Sequence, residues 1–125
     1  MKSTINIPDA PAPVGPYSQA INYNGLIIAS GQIAINPKTG ILTTQSIESE
    51  LNQIFENIDA LLLASKLKRE NILKCSIFLK NMDDFKELND IYSRFFEKPY
   101  PARETVEVSR LPKDANIEIS FIAGE

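Results

Sequence analysis

The clearest structural signal in the chain is residues 17–32, which read YSQAINYNGLIIASGQ. At their centre stands Asn24-Gly25, the pair most typical of a two-residue type I′ hairpin turn, because both turn positions require a positive φ angle. The segments on either side, Tyr17 to Tyr23 and Leu26 to Gln32, are predicted strands. This part of the chain therefore predicts an antiparallel β-hairpin. Asn36 to Gly40, NPKTG, predicts a second turn just beyond it.

The hydrophobic period becomes helical after Ser46. Glu48 and Glu50 complement the helix dipole in the first turn, and the helix should end near Ser65. A strand is predicted next, over Ile72 to Leu79. The apolar residues that define the helix recur at three- and four-residue spacing: Ile47, Leu51, Ile54, Phe55, Ile58, Leu61 and Leu62.

A second helix is predicted to follow Asn81, whose side chain is suited to cap it. This helix must end before Pro99, because a proline disfavours helical backbone in the residue before it. Two final strands are predicted over Ala102 to Val108 and Ile117 to Ala123. The apolar stripe of the second helix is expected to be core: Phe85, Leu88, Tyr92 and Phe95.

The predicted order is β-β-α-β-α-β-β within a single domain, residues 1–125. Two amphipathic helices can cover one face of one sheet, so the fold class predicted is a two-layer α+β sandwich. The second face of the sheet would then lie open. A chain of this length can bury that face against copies of itself, and we therefore expect an oligomer.

Composition excludes several classes of function. The chain has no histidine and one cysteine, so it cannot build a zinc site of the usual kind, and we expect no metal or other cofactor. Its five glycines form no phosphate-binding motif. The net charge of −3 gives nucleic acid no overall attraction. No apolar run is long enough to span a bilayer, no secretory signal is expected, and a lone Cys75 suits the reducing cytoplasm.

The remaining chemistry rests on an arginine and a carboxylate near the C-terminus. Alternation puts Arg103 and Thr105 on one face of their strand and Val106 on the other, and Glu118 lies opposite the apolar residues of the last strand. If both apolar faces meet the helices, Arg103 and Glu118 project to the uncovered side of the sheet. Arginine can hold a carboxylate through two hydrogen bonds, and a glutamate can orient and deprotonate water.

The simpler interpretation is that Arg103 and Glu118 are solvated charges or an ordinary ion pair. Cys75, in an apolar strand, is expected to be a small buried hydrophobe.

Five segments, in this order, resemble the RidA/YjgF family. They are GPYSQA at Gly15 to Ala20, SGQI at Ser30 to Ile33, NPKTG at Asn36 to Gly40, PARETVEVSRLP at Pro101 to Pro112, and IEI at Ile117 to Ile119. The resemblance implies a chorismate-mutase-like α+β fold and a homotrimer with clefts at the subunit interfaces. It also implies a deaminase that hydrolyses reactive 2-imino acids, 2-iminobutanoate and 2-iminopropanoate, to 2-keto acids and ammonia.

The same resemblance implies roles for particular residues. Arg103 would bind the substrate carboxylate, and Glu118 would handle the proton of the attacking water. The backbone around Gly31 and Thr105 would approach the substrate closely. Other positions of the cleft would be lined by Tyr17, Ser30 and Asn89.

Two positions depart from the family pattern. Many members have cysteine where this chain has Thr105, so a thiol nucleophile is absent here. Glu104 occupies a position that is usually small, although alternation should direct it away from Arg103. A non-catalytic regulator that binds small carboxylates remains an alternative. Ribonuclease activity ranks last, because an acidic chain without histidine is poorly equipped to cleave RNA.

Overall fold

The computed structural model describes all residues, 1–125, as one six-stranded mixed sheet with two α-helices packed on one face. The predicted two-layer α+β class is confirmed. The strands are ordered β1-β2-β3-β6-β4-β5 across the sheet, and only the β4–β5 pair is parallel. In chain order the elements are β1 (Ser3–Ile5), β2 (Ala20–Tyr23), β3 (Leu26–Gln32), α1 (Ile47–Ala64), β4 (Ile72–Leu79), α2 (Phe85–Tyr92), β5 (Ala102–Glu107) and β6 (Ile117–Ala123).

The hairpin predicted at Asn24-Gly25 is present. The two residues have φ angles of 52° and 87°, the left-handed region that a type I′ turn needs, and Tyr23 pairs with Leu26 across it. The strand before the turn begins only at Ala20. A short strand that the sequence analysis did not predict, β1, pairs with it along the outer edge.

Helix α1 follows the predicted pattern. The Ser46 hydroxyl caps its N-terminus by accepting a hydrogen bond from the backbone N–H of Ser49 at 3.0 Å. Leu51, Ile54 and Phe55 are fully buried against the sheet.

Helix α2 is shorter than predicted, because a 3₁₀ turn flanks it at each end. The Asn81 side chain caps the first of these turns by accepting a hydrogen bond from the N–H of Asp83 at 2.9 Å. Leu88 and Tyr92 are buried as expected. The prediction that Phe85 belongs to the core is wrong, since its ring is 37% exposed at the start of the helix.

The two faces of the sheet can be assigned from burial. Ile117, Ile119 and Phe121 of β6 pack under the helices, and Glu118 therefore points to the open face, as predicted. Neither helix is long and apolar enough to cross a membrane.

The prediction that Arg103 also faces the open side is wrong. In the parallel β4–β5 pair Arg103 lies beside Cys75, a buried residue on the helix side. Thr105 follows the same side, whereas Val106 lies on the open face and is 41% exposed. β5 is an edge strand, so its valine can stay partly exposed while the stem of Arg103 packs beneath α2.

Candidate functional site

Glu118 lies in a cleft of about 190 Å³ on the open face of the sheet. We call this the Glu118 cleft. Its walls include Tyr17, Gly31, Lys113 and Glu118. The cleft thus brings together three of the residues predicted for the site, Tyr17, Gly31 and Glu118.

Gly31 supplies the space that the Glu118 side chain occupies. β3 bulges between Ala29 and Gln32 where it pairs with β6, so the backbone at Gly31 comes up against the glutamate. A Cβ atom on residue 31 would stand 2.6 Å from the carboxyl carbon of Glu118. Only glycine leaves the carboxylate in this position.

The carboxylate of Glu118 is half-buried and has no hydrogen bond or ion pair within the chain. Burial raises its pKa above the usual value for glutamate, because the ionised form loses hydration. A carboxylate with a raised pKa and free oxygens is suited to take a proton from water and return it.

Tyr17 reaches the cleft from the proline-rich segment that precedes β2. Its side chain is 49% exposed, and its hydroxyl accepts a hydrogen bond from the N–H of Val14 at 3.3 Å. Ser30 is adjacent in sequence to the cleft, but its hydroxyl donates to the carbonyl of Ser18 at 2.6 Å. The Ser30 side chain therefore holds the Tyr17 segment against β3.

Gln19, whose role the sequence pattern did not predict, also holds this segment. Its side-chain oxygen accepts from the N–H of Ile7 at 2.7 Å. Its side-chain nitrogen lies within 3.1 Å of the carbonyls of Ile7, Ala10 and Pro11. Prolines have no backbone N–H to donate, so the buried amide of Gln19 supplies donors to carbonyl groups in this proline-rich segment.

Arg103 lies outside the Glu118 cleft, on the helix side of the sheet. Its guanidinium donates from Nη2 to Oδ1 of Asn89 at 2.6 Å. The guanidinium carbon lies 4.9 Å from the ring centre of Tyr92 and 5.7 Å from that of Phe85. We call these four residues the Arg103 cluster.

Arg103 has no ion pair within the chain, unlike Arg69, which forms one with Asp59. Its donors other than the one bound to Asn89 are free to take an external carboxylate. The spacing of Phe85, Asn89 and Tyr92 by four and three residues puts them on one face of α2. That spacing could have revealed the cluster in the sequence.

Thr105 belongs to the same side of the sheet as Arg103. Its hydroxyl is buried and has no hydrogen-bond partner. Cys75 lies on the neighbouring strand and is fully buried, as predicted. Burial raises the pKa of the Cys75 thiol, which keeps it protonated and unreactive. Neither residue is set up as a nucleophile.

Glu104 points away from Arg103, as strand alternation predicted. Its carboxylate binds the Lys74 ammonium at 3.0 Å and accepts a hydrogen bond from the Ser76 hydroxyl on the open face. These two contacts hold the pKa of Glu104 below its usual value. Glu104 therefore does not neutralise the positive charge of Arg103, which has no acidic partner within the chain.

A buried glutamate of α1 positions the strand that carries Glu118. Glu50 is fully buried and accepts hydrogen bonds from the N–H of Asn116 at 2.8 Å and the N–H of Ile117 at 3.0 Å. It also accepts one from the Asn116 side chain at 2.8 Å. The sequence carried a signal for this role, because Glu50 falls on the apolar stripe one turn before Ile54.

The sheet order and the single layer of helices define a small two-layer α+β protein. The family model described as Endoribonuclease L-PSP matches residues 7–125. The chain therefore belongs to the RidA/YjgF family.

Similar proteins of known sequence match almost end to end. A RutC family protein of Aquifex aeolicus is 49% identical over 121 residues, covering 95% of this chain and 96% of that protein. A protein of Dermatophagoides farinae named 2-iminobutanoate/2-iminopropanoate deaminase is 43% identical, covering 97% of this chain and 94% of its own.

Solved structures agree with the fold. YyfA of the conserved Rid protein family, from Yersinia pestis, has a TM-score of 0.95 at 48% identity and covers all of both chains. Escherichia coli TdcF, solved with bound serine, has a TM-score of 0.92 at 33% identity and covers 98% of each chain.

Proposed function

We propose that the protein is a deaminase that hydrolyses 2-imino acids, such as 2-iminobutanoate and 2-iminopropanoate, to 2-keto acids and ammonia. The observation that carries the proposal is the carboxylate of Glu118, half-buried and unpaired beside Gly31 in a cleft of small-molecule size. The deaminase name of the Dermatophagoides farinae relative supports the same reaction.

We propose further that the working form is a homotrimer in which each site combines two chains. Glu118 and Arg103 lie on opposite faces of one sheet, so a single chain does not offer both to one small substrate. The open face also exposes apolar side chains, among them Ile28 at 46% and Val106 at 41%. Packing these against another copy removes them from water and can bring one chain's Arg103 to the Glu118 cleft of the next.

In the proposed reaction Arg103 holds the substrate carboxylate through its free donors. Glu118 accepts a proton from water as the water oxygen bonds to the imine carbon, and it passes this proton to the imine nitrogen, which yields a neutral carbinolamine. Glu118 then takes the hydroxyl proton of the carbinolamine and delivers it to the nitrogen, so that the carbon–nitrogen bond breaks and ammonia leaves as the carbonyl forms. Water and the imine are the only reactants, and Glu118 ends in its starting state.

The direct test is to add the purified protein to a threonine dehydratase reaction and follow imine loss and 2-ketobutyrate formation. We expect faster conversion than the spontaneous hydrolysis, which must be measured in parallel. Glu118→Gln keeps the shape of the side chain but removes the base, so kcat should fall with little change in ligand binding. Arg103→Ala should lower kcat/KM at least ~10²-fold, and Arg103→Lys should restore part of the loss.

A non-catalytic binder of small carboxylates is the second candidate. The Arg103 cluster is assembled on one chain without Glu118, and the related TdcF was solved with bound serine. This candidate predicts binding of 2-ketobutyrate that Arg103→Ala abolishes, together with imine hydrolysis at the spontaneous rate. Parent and Glu118→Gln proteins that are equally inactive would favour the binder over the enzyme.

A further inference from the structure

The guanidinium of Arg103 lies over the ring of Tyr92, which is buried and held in place by other aromatic rings. Its ring is 6% exposed and is packed edge-on against Phe55, with centres 6.1 Å apart. Phe96 lies on it at 4.8 Å. A ring fixed in this way cannot follow the arginine if the arginine moves, so it defines where the guanidinium sits.

The contact between Tyr92 and Arg103 has an electrostatic basis. The face of an aromatic ring carries partial negative charge, and a cation within about 6 Å of the ring centre is attracted to it. At 4.9 Å the guanidinium carbon is well inside that range. The Phe85 ring at 5.7 Å adds a second, more exposed face.

A ring face attracts the guanidinium without occupying its N–H donors. An acidic partner would hold Arg103 as firmly but would use the same donors that a substrate carboxylate needs. Asn89 takes one donor only. The arrangement therefore keeps the guanidinium both fixed and free to bind.

The hydroxyl of Tyr92 contributes nothing to this contact. It is buried without a hydrogen-bond partner of ordinary geometry, and the Cys75 thiol lies near enough to contribute to its raised pKa. Burial raises the pKa of Tyr92, so the hydroxyl stays neutral. The ring, and not the hydroxyl, is the part that acts on Arg103.

We propose that Tyr92 is a positioning residue that holds the guanidinium of Arg103 in the orientation that receives the substrate carboxylate. This inference rests on the proposed function, because it assigns Arg103 the carboxylate. Tyr92 acts through Arg103 and does not itself touch the substrate.

The test compares three variants. Tyr92→Phe keeps the ring, Tyr92→Leu removes it, and Phe95→Leu removes a neighbouring ring that stacks on Phe55 and is absent from the ring contacts of Tyr92 and from the Arg103 contacts. Each is assayed for kcat and KM of imine hydrolysis, for the Kd of 2-ketobutyrate by calorimetry, and for thermal unfolding.

Tyr92→Leu should raise KM and the Kd of 2-ketobutyrate by about 5- to 30-fold, the strength of a desolvated cation–π contact expressed as affinity. Its kcat should change less, because Glu118 is untouched. Tyr92→Phe should bind within about twofold of the parent, by the same argument. Phe95→Leu should lose stability but keep KM. Equal rises of KM in Tyr92→Leu and Phe95→Leu, or a loss in Tyr92→Phe like that in Tyr92→Leu, would overturn the proposal.

A spectroscopic measurement serves if Tyr92→Leu is too unstable to assay. The Arg103 side-chain N–H resonance should carry a ring-current shift in the parent protein and in Tyr92→Phe, and should lose most of it in Tyr92→Met, where only the more distant Phe85 ring remains. An unshifted resonance in the parent would refute the contact. A different result would contradict the proposed function itself. If Arg103→Ala binds 2-ketobutyrate as tightly as the parent protein, Arg103 does not bind the substrate carboxylate, and this conclusion does not depend on the Tyr92 variants.

Discussion

The carboxylate of Glu118 lies where the side chain of residue 31 would be, because a Cβ on Gly31 would stand 2.6 Å from its carboxyl carbon and 2.7 Å from Oε2. The atoms in the way belong to the end of a flexible side chain and not to backbone. Gly31→Ala should therefore expel the Glu118 carboxylate from its position at small cost to the fold.

We expect Gly31→Ala to lower kcat more than tenfold, as loss of a positioned base does, and to change the free energy of unfolding by less than about 1 kcal/mol. Kinetics and urea denaturation measure the two effects. In the Gly31→Ala/Glu118→Gln double variant the losses should not add, because both act through one carboxylate. Additive losses would mean that Gly31 acts independently of Glu118.

The pH profile tests whether Arg103 and Glu118 meet in the assembled protein. Glu118 works as a base only when ionised, so kcat/KM should fall as the pH drops through its pKa. Burial raises that pKa, and a guanidinium brought by a neighbouring copy would lower it. Arg103→Ala removes the second effect, so its acidic limb should lie at higher pH than that of the parent protein. Lys113 lines the cleft in both proteins and does not affect the comparison.

The control for this profile is Glu118→Gln, which should show no acidic limb after the spontaneous rate is subtracted. Identical limbs in the parent and in Arg103→Ala would mean that the two residues stay apart in the active form.

Mixing two inactive variants should restore activity if each site draws on two chains. Arg103→Ala and Glu118→Gln chains that are unfolded together and refolded in equal amounts should form about one quarter of their sites from an intact Arg103 and an intact Glu118. We therefore expect about one quarter of the parent rate, by the same count of interfaces. Refolding each variant alone is the control. A mixture no more active than its parts would contradict a shared site.

Thr105→Val should keep most activity and should not destabilise the protein. The Thr105 hydroxyl is buried without a partner, a state that costs about 1–3 kcal/mol for a polar group, so its removal should raise the free energy of unfolding by about 1 kcal/mol. Urea denaturation and imine hydrolysis test this. Thr105→Ser, which keeps the hydroxyl but loses the methyl group, should be less stable than the parent. A loss of activity as large as that of Arg103→Ala would show that the hydroxyl takes part in the reaction.

Glu50→Ala should destabilise the protein by about 3 kcal/mol, because it leaves the part-buried N–H of Asn116 and the buried N–H of Ile117 without an acceptor. Glu48→Ala is a matched control in the same helical turn. Glu48 forms only an exposed ion pair with Arg94, so its loss should cost less than about 1 kcal/mol. Equal effects of the two substitutions in urea denaturation would contradict a structural role for Glu50.

The sequence predicted the side of the sheet for Glu118 but not for Arg103, and the physical reason lies in the two strands. β6 is central, and Ile117, Ile119 and Phe121 leave no doubt about its buried face. β5 is an edge strand whose neighbour on one side is missing, so alternation of apolar residues is a weaker guide. The guanidinium of Arg103 packs on aromatic rings, which a simple division into polar and apolar residues does not foresee.

Polar residues that stabilise the fold were harder to predict than the helices and strands. The hairpin and both helices follow local rules of turn chemistry and period, which operate within a few residues. Gln19 and Glu50 instead satisfy backbone groups that are distant in sequence, and a single sequence contains no direct record of those partners. Tyr92 was predicted as core, which it is, but its second contact with Arg103 depends on how α2 lies over β5.

Two side chains, the amide of Gln19 and the hydroxyl of Ser30, make most of the side-chain hydrogen bonds that hold the proline-rich segment before β2. Segments with so few attachments open at lower free energy than the strands they rest on. Amide hydrogens from Ile7 to Tyr17 should consequently exchange with solvent well before those of β3 and β6. The Glu118 cleft would then lose its Tyr17 wall in brief local openings that leave the sheet intact, and a small ligand would gain a way in and out of the cleft.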